Sequence, residues 1–226
     1  METCMTFNNF IRDKMTALPF ISLVFLTLSM LISTNNIYAT TSTNIGYESE
    51  YIFRGIAQEK SSASAGLDFS SEGFYIGTWA AQVTDGLEVD GFFGYNGSNE
   101  SGDFTYNLGF TGYYYTDDFD DTYQEINLGF CYGSFCLDSA FGDYENFDGP
   151  TLDYSFFNAS YSFENGVYVS FGDFSKDAEG SYLELGYGFS LGEMEGTIKY
   201  ISSNSTLVSP SGDNFLVFGI SKSFDL

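Results

Sequence analysis

The chain has 226 residues, a formal charge of −24, an aromatic content of 19% and no histidine. So acidic a chain lacks the Lys and Arg clusters that phosphate backbones require, which excludes nucleic acid as a partner. Without histidine, Ser-His-Asp triads, Cys-His pairs and His-ligated metals all drop out.

The N-terminal 39 residues read as a leader. Arg12 and Lys14 form a positive n-region, residues 17–32 are an apolar run too short for a comfortable membrane span, and Ile37-Tyr38-Ala39 ends on a small residue. These features predict a signal peptide over 1–39 and a single domain over 40–226. Glu2, Arg12, Asp13 and Lys14 cancel, so the whole net charge belongs to that domain.

Beyond the leader, about twelve short segments alternate apolar and polar residues between turns rich in Gly, Asp, Asn and Ser. The expected strands are 43–54, 62–70, 74–83, 87–95, 104–116, 123–132, 135–141, 151–164, 167–174, 182–191, 194–202 and 214–224. In the first, Ile45, Tyr47, Tyr51 and Phe53 share a face opposite Asn44, Glu48, Glu50 and Arg54. In the tenth, Leu183, Leu185, Tyr187 and Phe189 oppose Glu184, Gly186 and Gly188. In the last, Leu216, Phe218, Ile220 and Phe224 share a face interrupted by Lys222. The third strand has no clear phase.

One apolar and one polar face on nearly every strand is the pattern of a closed antiparallel transmembrane β-barrel, in which one face meets lipid and the other a lumen. The fold class expected is therefore all-β. The 18 Tyr and 25 Phe suit aromatic girdles at membrane interfaces. With both ends of the barrel in the periplasm, turns after even strands should be short and loops after odd strands longer. Residues 71–73, 133–134, 165–166 and 192–193 fit the first group. Residues 55–61, 117–122, 142–150, 175–181 and 203–213 fit the second. Residues 96–103 and 84–86 break the pattern. Pro150 and Pro210 fall in odd loops, and Pro19 in the leader.

Three segments carry a resemblance to a known family. Tyr51-Ile-Phe-Arg-Gly-Ile-Ala-Gln58, Gly73-Phe-Tyr-Ile-Gly-Thr-Trp-Ala80 and Gly91-Phe-Phe-Gly-Tyr95 resemble the TorF-type porins of proteobacteria. Residues 106–115 and 125–129 also look like that family's middle strands. The resemblance implies an outer-membrane barrel and a pore, with no substrate assigned and no catalytic residue carried over. The chain ends Phe224-Asp225-Leu226, whereas outer-membrane strands commonly end on an aromatic residue. This departure bears on recognition by the outer-membrane assembly machinery.

Cys131 and Cys136 flank Tyr132-Gly133-Ser134-Phe135. A two-residue turn at Gly133-Ser134 places the cysteines opposite each other, at about 4.5 Å between Cα atoms in a non-hydrogen-bonded pair. An oxidising compartment then favours a hairpin disulfide over two free thiols. Cys4 leaves with the leader. No metal site and no cofactor are expected. The acidic run Asp117–Asp121 lacks the spacing of a calcium loop and reads first as a solvated loop.

By strand phase, Glu48, Glu50, Asp68, Glu88, Asp90, Glu125, Asp138, Asp153, Glu184 and Glu195 line the lumen, with Arg54 and Lys199 among them. Rings of carboxylates in a low-dielectric passage favour cations, and the two basic residues could oppose them at a constriction. The reading is a non-enzymatic outer-membrane porin, monomeric or oligomeric, passing small hydrophilic solutes by diffusion with a cation preference. Its partners are outer-membrane lipid and those solutes. The alternatives are a barrel with a plugged interior and a structural, adhesive or receptor role, and a soluble secreted β-sandwich.

Overall fold

The computed structural model of the chain describes residues 39–208 and 210–226. The expected leader lies outside them, except for its last residue, Ala39, which opens the first strand. Among the described residues there are twelve strands. They are β1 (Ala39–Phe53), β2 (Ile56–Ser71), β3 (Phe74–Gln82), β4 (Leu87–Ser98), β5 (Phe104–Tyr115), β6 (Tyr123–Tyr132), β7 (Phe135–Tyr144), β8 (Leu152–Ser162), β9 (Val167–Lys176), β10 (Gly180–Leu191), β11 (Met194–Ser203) and β12 (Asp213–Asp225). Each pairs antiparallel with its neighbours in sequence, and β1 pairs with β12, so the sheet closes into a barrel. A closed cylinder excludes the β-sandwich.

Closure satisfies the backbone of every wall strand and leaves the outer surface free to be apolar. Phe69, Ile76, Phe93, Phe110, Ile126 and Phe141 stand opposite one another in succession across β2 to β7. Ile45, Leu183, Leu185, Tyr187, Ile198, Leu216 and Phe218 continue the exposed apolar belt on the other side. Lys222 interrupts this face near the end of β12. It pairs with Glu193 in the β10–β11 turn and lies 5.0 Å from the Phe224 ring centre, so its charge is met at the barrel rim. The register also settles the third strand: Trp79 and Ala81 point inward, and Phe74 and Ile76 outward.

Ala39 faces Ser71 and Ser42 faces Asp225, so both ends of the described barrel lie beside the even turns. This end, here the terminal end, is closed by Glu72-Gly73, Gly133-Ser134 and Gly192-Glu193 together with residues 99–103 and 163–166. The opposite, loop end carries residues 83–86, 116–122, 145–151, 177–179, 204–208 and 210–212. Its remaining connection departs from expectation. Residues 55–61 are not a loop: β1 turns into β2 at Arg54-Gly55, and Ile56 already belongs to the strand. Arg54 and Gly55 have φ of 47° and 82°. Two consecutive left-handed residues make the type I′ turn whose twist matches a hairpin.

This hairpin does not stay in the wall. Pairing of β1 to β12 stops at Glu48 with Gly219, and pairing of β2 to β3 stops at Ser64 with Ala81. Beyond those points β1 and β2 pair only with each other, through Phe53 with Ile56. A register shift between Tyr51 and Ile52, and a φ of 71° at Ser61, bend the ribbon. A bulge of this kind adds twist and redirects side chains. The tip therefore tilts across the lumen.

Candidate functional site

The inward tilt overturns the sequence reading of the first strand. Ile45 and Tyr47 face outward as expected, but Tyr51 and Phe53 do not. Tyr51 and Phe53 pack with Trp79, Ala81, Val83, Tyr115 and Phe119 on one wall. Ile52, on the other face of the ribbon, packs with Ala140, Phe156, Tyr182, Ile201, Phe215 and Val217 on the opposite wall. Both faces of the hairpin are thus covered by the inside of the barrel, which a two-residue alternation cannot reveal.

At the tip, Arg54 meets Glu125 of β6 in a two-pronged ion pair, with both nitrogen-to-oxygen distances 2.8 Å. The Glu125 side chain is fully buried. It also accepts hydrogen bonds from the hydroxyls of Tyr113 at 2.7 Å and Tyr154 at 2.8 Å, and from the Asn127 amide at 2.7 Å. The guanidinium lies 4.3 Å from the Phe156 ring centre and 4.8 Å from that of Phe53. The Ser203 hydroxyl donates to the Gly55 carbonyl at 2.6 Å and anchors the turn to β11. A side chain at Gly55 would collide with Ser203 and Tyr182 at 2.8 Å, so only glycine lets the turn sit this close.

Two further carboxylates complete this buried layer. Glu88 accepts the Tyr51 hydroxyl at 2.9 Å. Asp90 is buried, and its Oδ1 has no hydrogen-bond partner among the described residues. Strand phase placed Glu88, Asp90 and Glu125 on the inner face, and there they lie. What it did not anticipate is that they sit sealed around a hairpin. Tyr51 was assigned to the outer face, and Tyr113, Tyr154 and Phe156 were missed altogether, because an aromatic ring facing a filled interior looks in sequence like one facing lipid.

The other residues singled out from the sequence lie elsewhere. Glu48 and Lys199 form an ion pair lining a cavity of about 360 Å³, together with Glu184 and Glu195. Glu184 accepts the Tyr168 hydroxyl at 2.6 Å. Asp68 accepts from Asn44 at 3.3 Å. Asp138 lines a second cavity of about 620 Å³ near the terminal end, with Asn107 and Cys131. Glu50 is half-buried on the hairpin, across from Lys60. Asp153 does not line the lumen as strand phase predicted: on β8 it alternates with the buried, inward Tyr154 and Phe156 and shares the side of the exposed Phe157, at the loop end beside a cavity of about 210 Å³ whose lining includes Arg54 and Tyr154. Arg54 and Lys199 thus go to separate partners and do not share a constriction.

Cys131 and Cys136 stand opposite each other across the β6–β7 turn and are joined by a disulfide, with Cα atoms 4.1 Å apart. In the acidic loop, Asp120 accepts the Tyr123 and Tyr144 hydroxyls at 2.9 and 2.7 Å, and Asp121 accepts the Phe147 amide at 2.6 Å. These carboxylates are engaged in ordering the loop. Among the described residues no group of three or more Cys, Asp or Glu is arranged to hold a metal ion.

The arrangement is that of a closed barrel of twelve strands whose first hairpin crosses the loop end above cavities lined by polar residues. The chain belongs to the Gcw_chp family, described as bacterial proteins of unknown function, whose family model matches residues 34–202. No curated protein matches it in sequence. In fold it is similar to the KdgM porin, with a TM-score of 0.56 at 9% identity over 81% of this chain and 99% of that one. It is likewise similar to a membrane protein from work on in-meso crystallization, with a TM-score of 0.55 at 8% identity over 83% and 84% of the two chains. An outer membrane channel from Pseudomonas putida F1 gives a TM-score of 0.46 at 9% identity over 83% and 96%. The chain therefore shares the barrel fold of the KdgM porin.

Proposed function

We propose that the protein is an outer-membrane porin of narrow bore whose resting state is closed by the β1–β2 hairpin, and which passes small hydrophilic solutes when the tip leaves its seat. The observation that carries this reading is the Arg54–Glu125 pair across the lumen, with polar cavities of about 620 and 360 Å³ beneath it. In this reading the hairpin, seated by that ion pair, by the Ser203–Gly55 and Tyr51–Glu88 hydrogen bonds and by apolar contacts on both faces, is an element with two positions, which a passage needs if it is to be controlled. The TorF-type resemblance of the Tyr51–Gln58 segment falls on this same hairpin.

In this reading the apolar belt sits in the outer membrane, the terminal end faces the periplasm and the loop end faces outward. The leader directs export, and the assembly machinery inserts the barrel. The inner carboxylates outnumber Arg54 and Lys199, so the opened lumen prefers cations.

Planar-bilayer recording tests the proposal. Wild-type protein should show rare or small conductance steps. A variant with a loosened tip should show frequent ones, with a reversal potential that favours potassium over chloride. The filled loop end also suits a second reading, a non-conducting barrel with a structural or receptor role. That reading prevails if loosening the tip produces no conductance.

A further inference from the structure

The seat of Arg54 has the composition of a recognition site. Its walls come from β5, β6 and β8: Tyr113, Glu125, Tyr154 and Phe156. Its occupant comes from the hairpin. Host and guest therefore sit on different elements, and the host is ordered by contacts of its own. The two tyrosine hydroxyls and the Asn127 amide hold the Glu125 carboxylate in place independently of what lies in front of it. Withdraw the hairpin, and a buried anion is left facing an aromatic ring.

Such a host discriminates among cations. A planar fork of two parallel N–H donors matches a carboxylate edge-on, and the same plane stacks on a ring. Both features are met by Arg54, with 2.8 Å to each oxygen and 4.3 Å to the Phe156 ring centre. An ammonium group meets neither as well, because it is a compact, strongly hydrated point charge. The cavity of about 210 Å³ at the loop end borders this seat: Arg54, Tyr113 and Tyr154 line it together with Asp120 and Asp177, while the Glu125 side chain stays fully buried behind the guanidinium. A cationic solute entering that cavity meets carboxylates, rings and the internal guanidinium.

We propose that Arg54 is an internal stand-in for a guanidinium-bearing solute, and that the Glu125–Tyr113–Tyr154–Phe156 cage is the subsite for that solute at the constriction. A small solute carrying a guanidinium group competes with Arg54 for the cage and releases the hairpin. The inference rests on the porin reading for its consequence, transport, but not for the binding itself. An intramolecular guest on a short tether has an effective concentration of roughly millimolar. Because the hairpin is also held by its apolar faces, competition should appear above that range and shift toward it in the Ile52→Ala background.

The test uses the purified full-length barrel in planar bilayers at constant ionic strength. Methylguanidinium replaces part of the potassium on the loop side, with methylammonium as the matched control. The expected result is a saturable, several-fold rise in open probability with methylguanidinium and none with methylammonium. Arg54→Ala should be open without either. In calorimetry, Arg54→Ala should bind methylguanidinium, and Arg54→Ala combined with Glu125→Gln should not. Equal effects of the two cations, or equal binding by the single and double variants, overturn the subsite. If neither wild type nor Arg54→Ala conducts, the porin reading falls and calorimetry alone decides the subsite. Should Arg54→Ala not fold, Arg54→Lys decides: a weaker guest must yield at a several-fold lower methylguanidinium concentration, and an unchanged dependence overturns the proposal.

Discussion

The loop-end and terminal-end halves of this lumen carry the same kinds of residue to opposite effect. At the loop end Glu88, Asp90 and Glu125 are buried, and the single cation among them reaches in from a hairpin. At the terminal end Glu48, Glu184, Glu195 and Asp138 line open cavities, and Lys199 comes from the wall itself. Inward-facing carboxylates therefore do not by themselves make a passage. What separates the halves is the ribbon 49–63, which leaves the wall and brings apolar side chains on both faces. In the sealed half an ion pair gains strength from low dielectric and becomes costly to break from one side. In the wet half the same pair is screened and tunes the field more than it stabilises the fold.

The comparison breaks most severely at Glu125. Glu125→Ala leaves the Arg54 guanidinium buried without a counter-charge and deprives Tyr113 and Tyr154 of their acceptor. Removing one partner of a buried pair costs about 3–5 kcal/mol. That cost falls on the seated hairpin, because the wall strands keep their ladders. Open-channel conductance should become the dominant state, while heat-modifiable migration on gels persists. A variant that stays closed would show that the apolar faces alone hold the tip.

Those faces are tested at Ile52, which packs with Ile201 and Val217. Ile52→Ala should weaken the seat by about 2–5 kcal/mol, at the lower end if the neighbouring side chains close the gap. It should raise open probability less than Glu125→Ala does. The two variants touch the same ribbon, so their effects should be less than additive in a double-mutant cycle.

How far the sequence spoke differed between the two halves in the same way. Alternation identified the wall correctly where one face is apolar and exposed, as in Leu183, Leu185 and Tyr187 of β10, but placed Asp153 of β8 on the wrong face. The register of the β6–β7 hairpin followed from Gly133-Ser134 alone. The inner position of Glu48, Glu184 and Glu125 followed from strand phase. The ribbon was misread because its two faces are both apolar-facing, and because backbone bends at Ser61 and between Tyr51 and Ile52 reset the phase of Tyr51 and Phe53. A signal was present: Arg54-Gly55 is a turn dipeptide between Ile52-Phe53 and Ile56, which marks a hairpin with no polar face. The cage residues Tyr154 and Phe156 had no such marker, since Phe157 beside them is exposed and equally aromatic.

In the terminal-end half, breaking the disulfide should matter less. Cys131→Ser with Cys136→Ser removes a link across a hairpin already closed by a two-residue turn and by ladders to β5 and β8. A chain-entropy estimate for so short a loop is about 2 kcal/mol at most. The expected outcome is a modest drop in the denaturant midpoint of the barrel, equal to that produced by reductant on the wild type, with gating unchanged. A change in gating would mean that the two halves are mechanically coupled through β6, which also carries Glu125.

The smallest effect on stability, and the cleanest view of the wet half, comes from Lys199→Ala. Its partner Glu48 is about one-third exposed at the side chain and can be hydrated when left alone. The loss should be under about 1 kcal/mol, as for other solvent-accessible pairs. The variant instead adds one uncompensated negative charge to a cavity already bordered by Glu184 and Glu195. Measured in the Ile52→Ala background, where the loop end is loosened, the reversal potential should move further toward potassium, and the shift should shrink as salt rises. Lys199→Ala in the otherwise wild-type barrel should leave open probability unchanged, because the lysine lies outside the seat. If it instead opened the barrel, the ion pair at Glu48, the last residue of β1 still paired to β12, would have to be counted as part of the hinge.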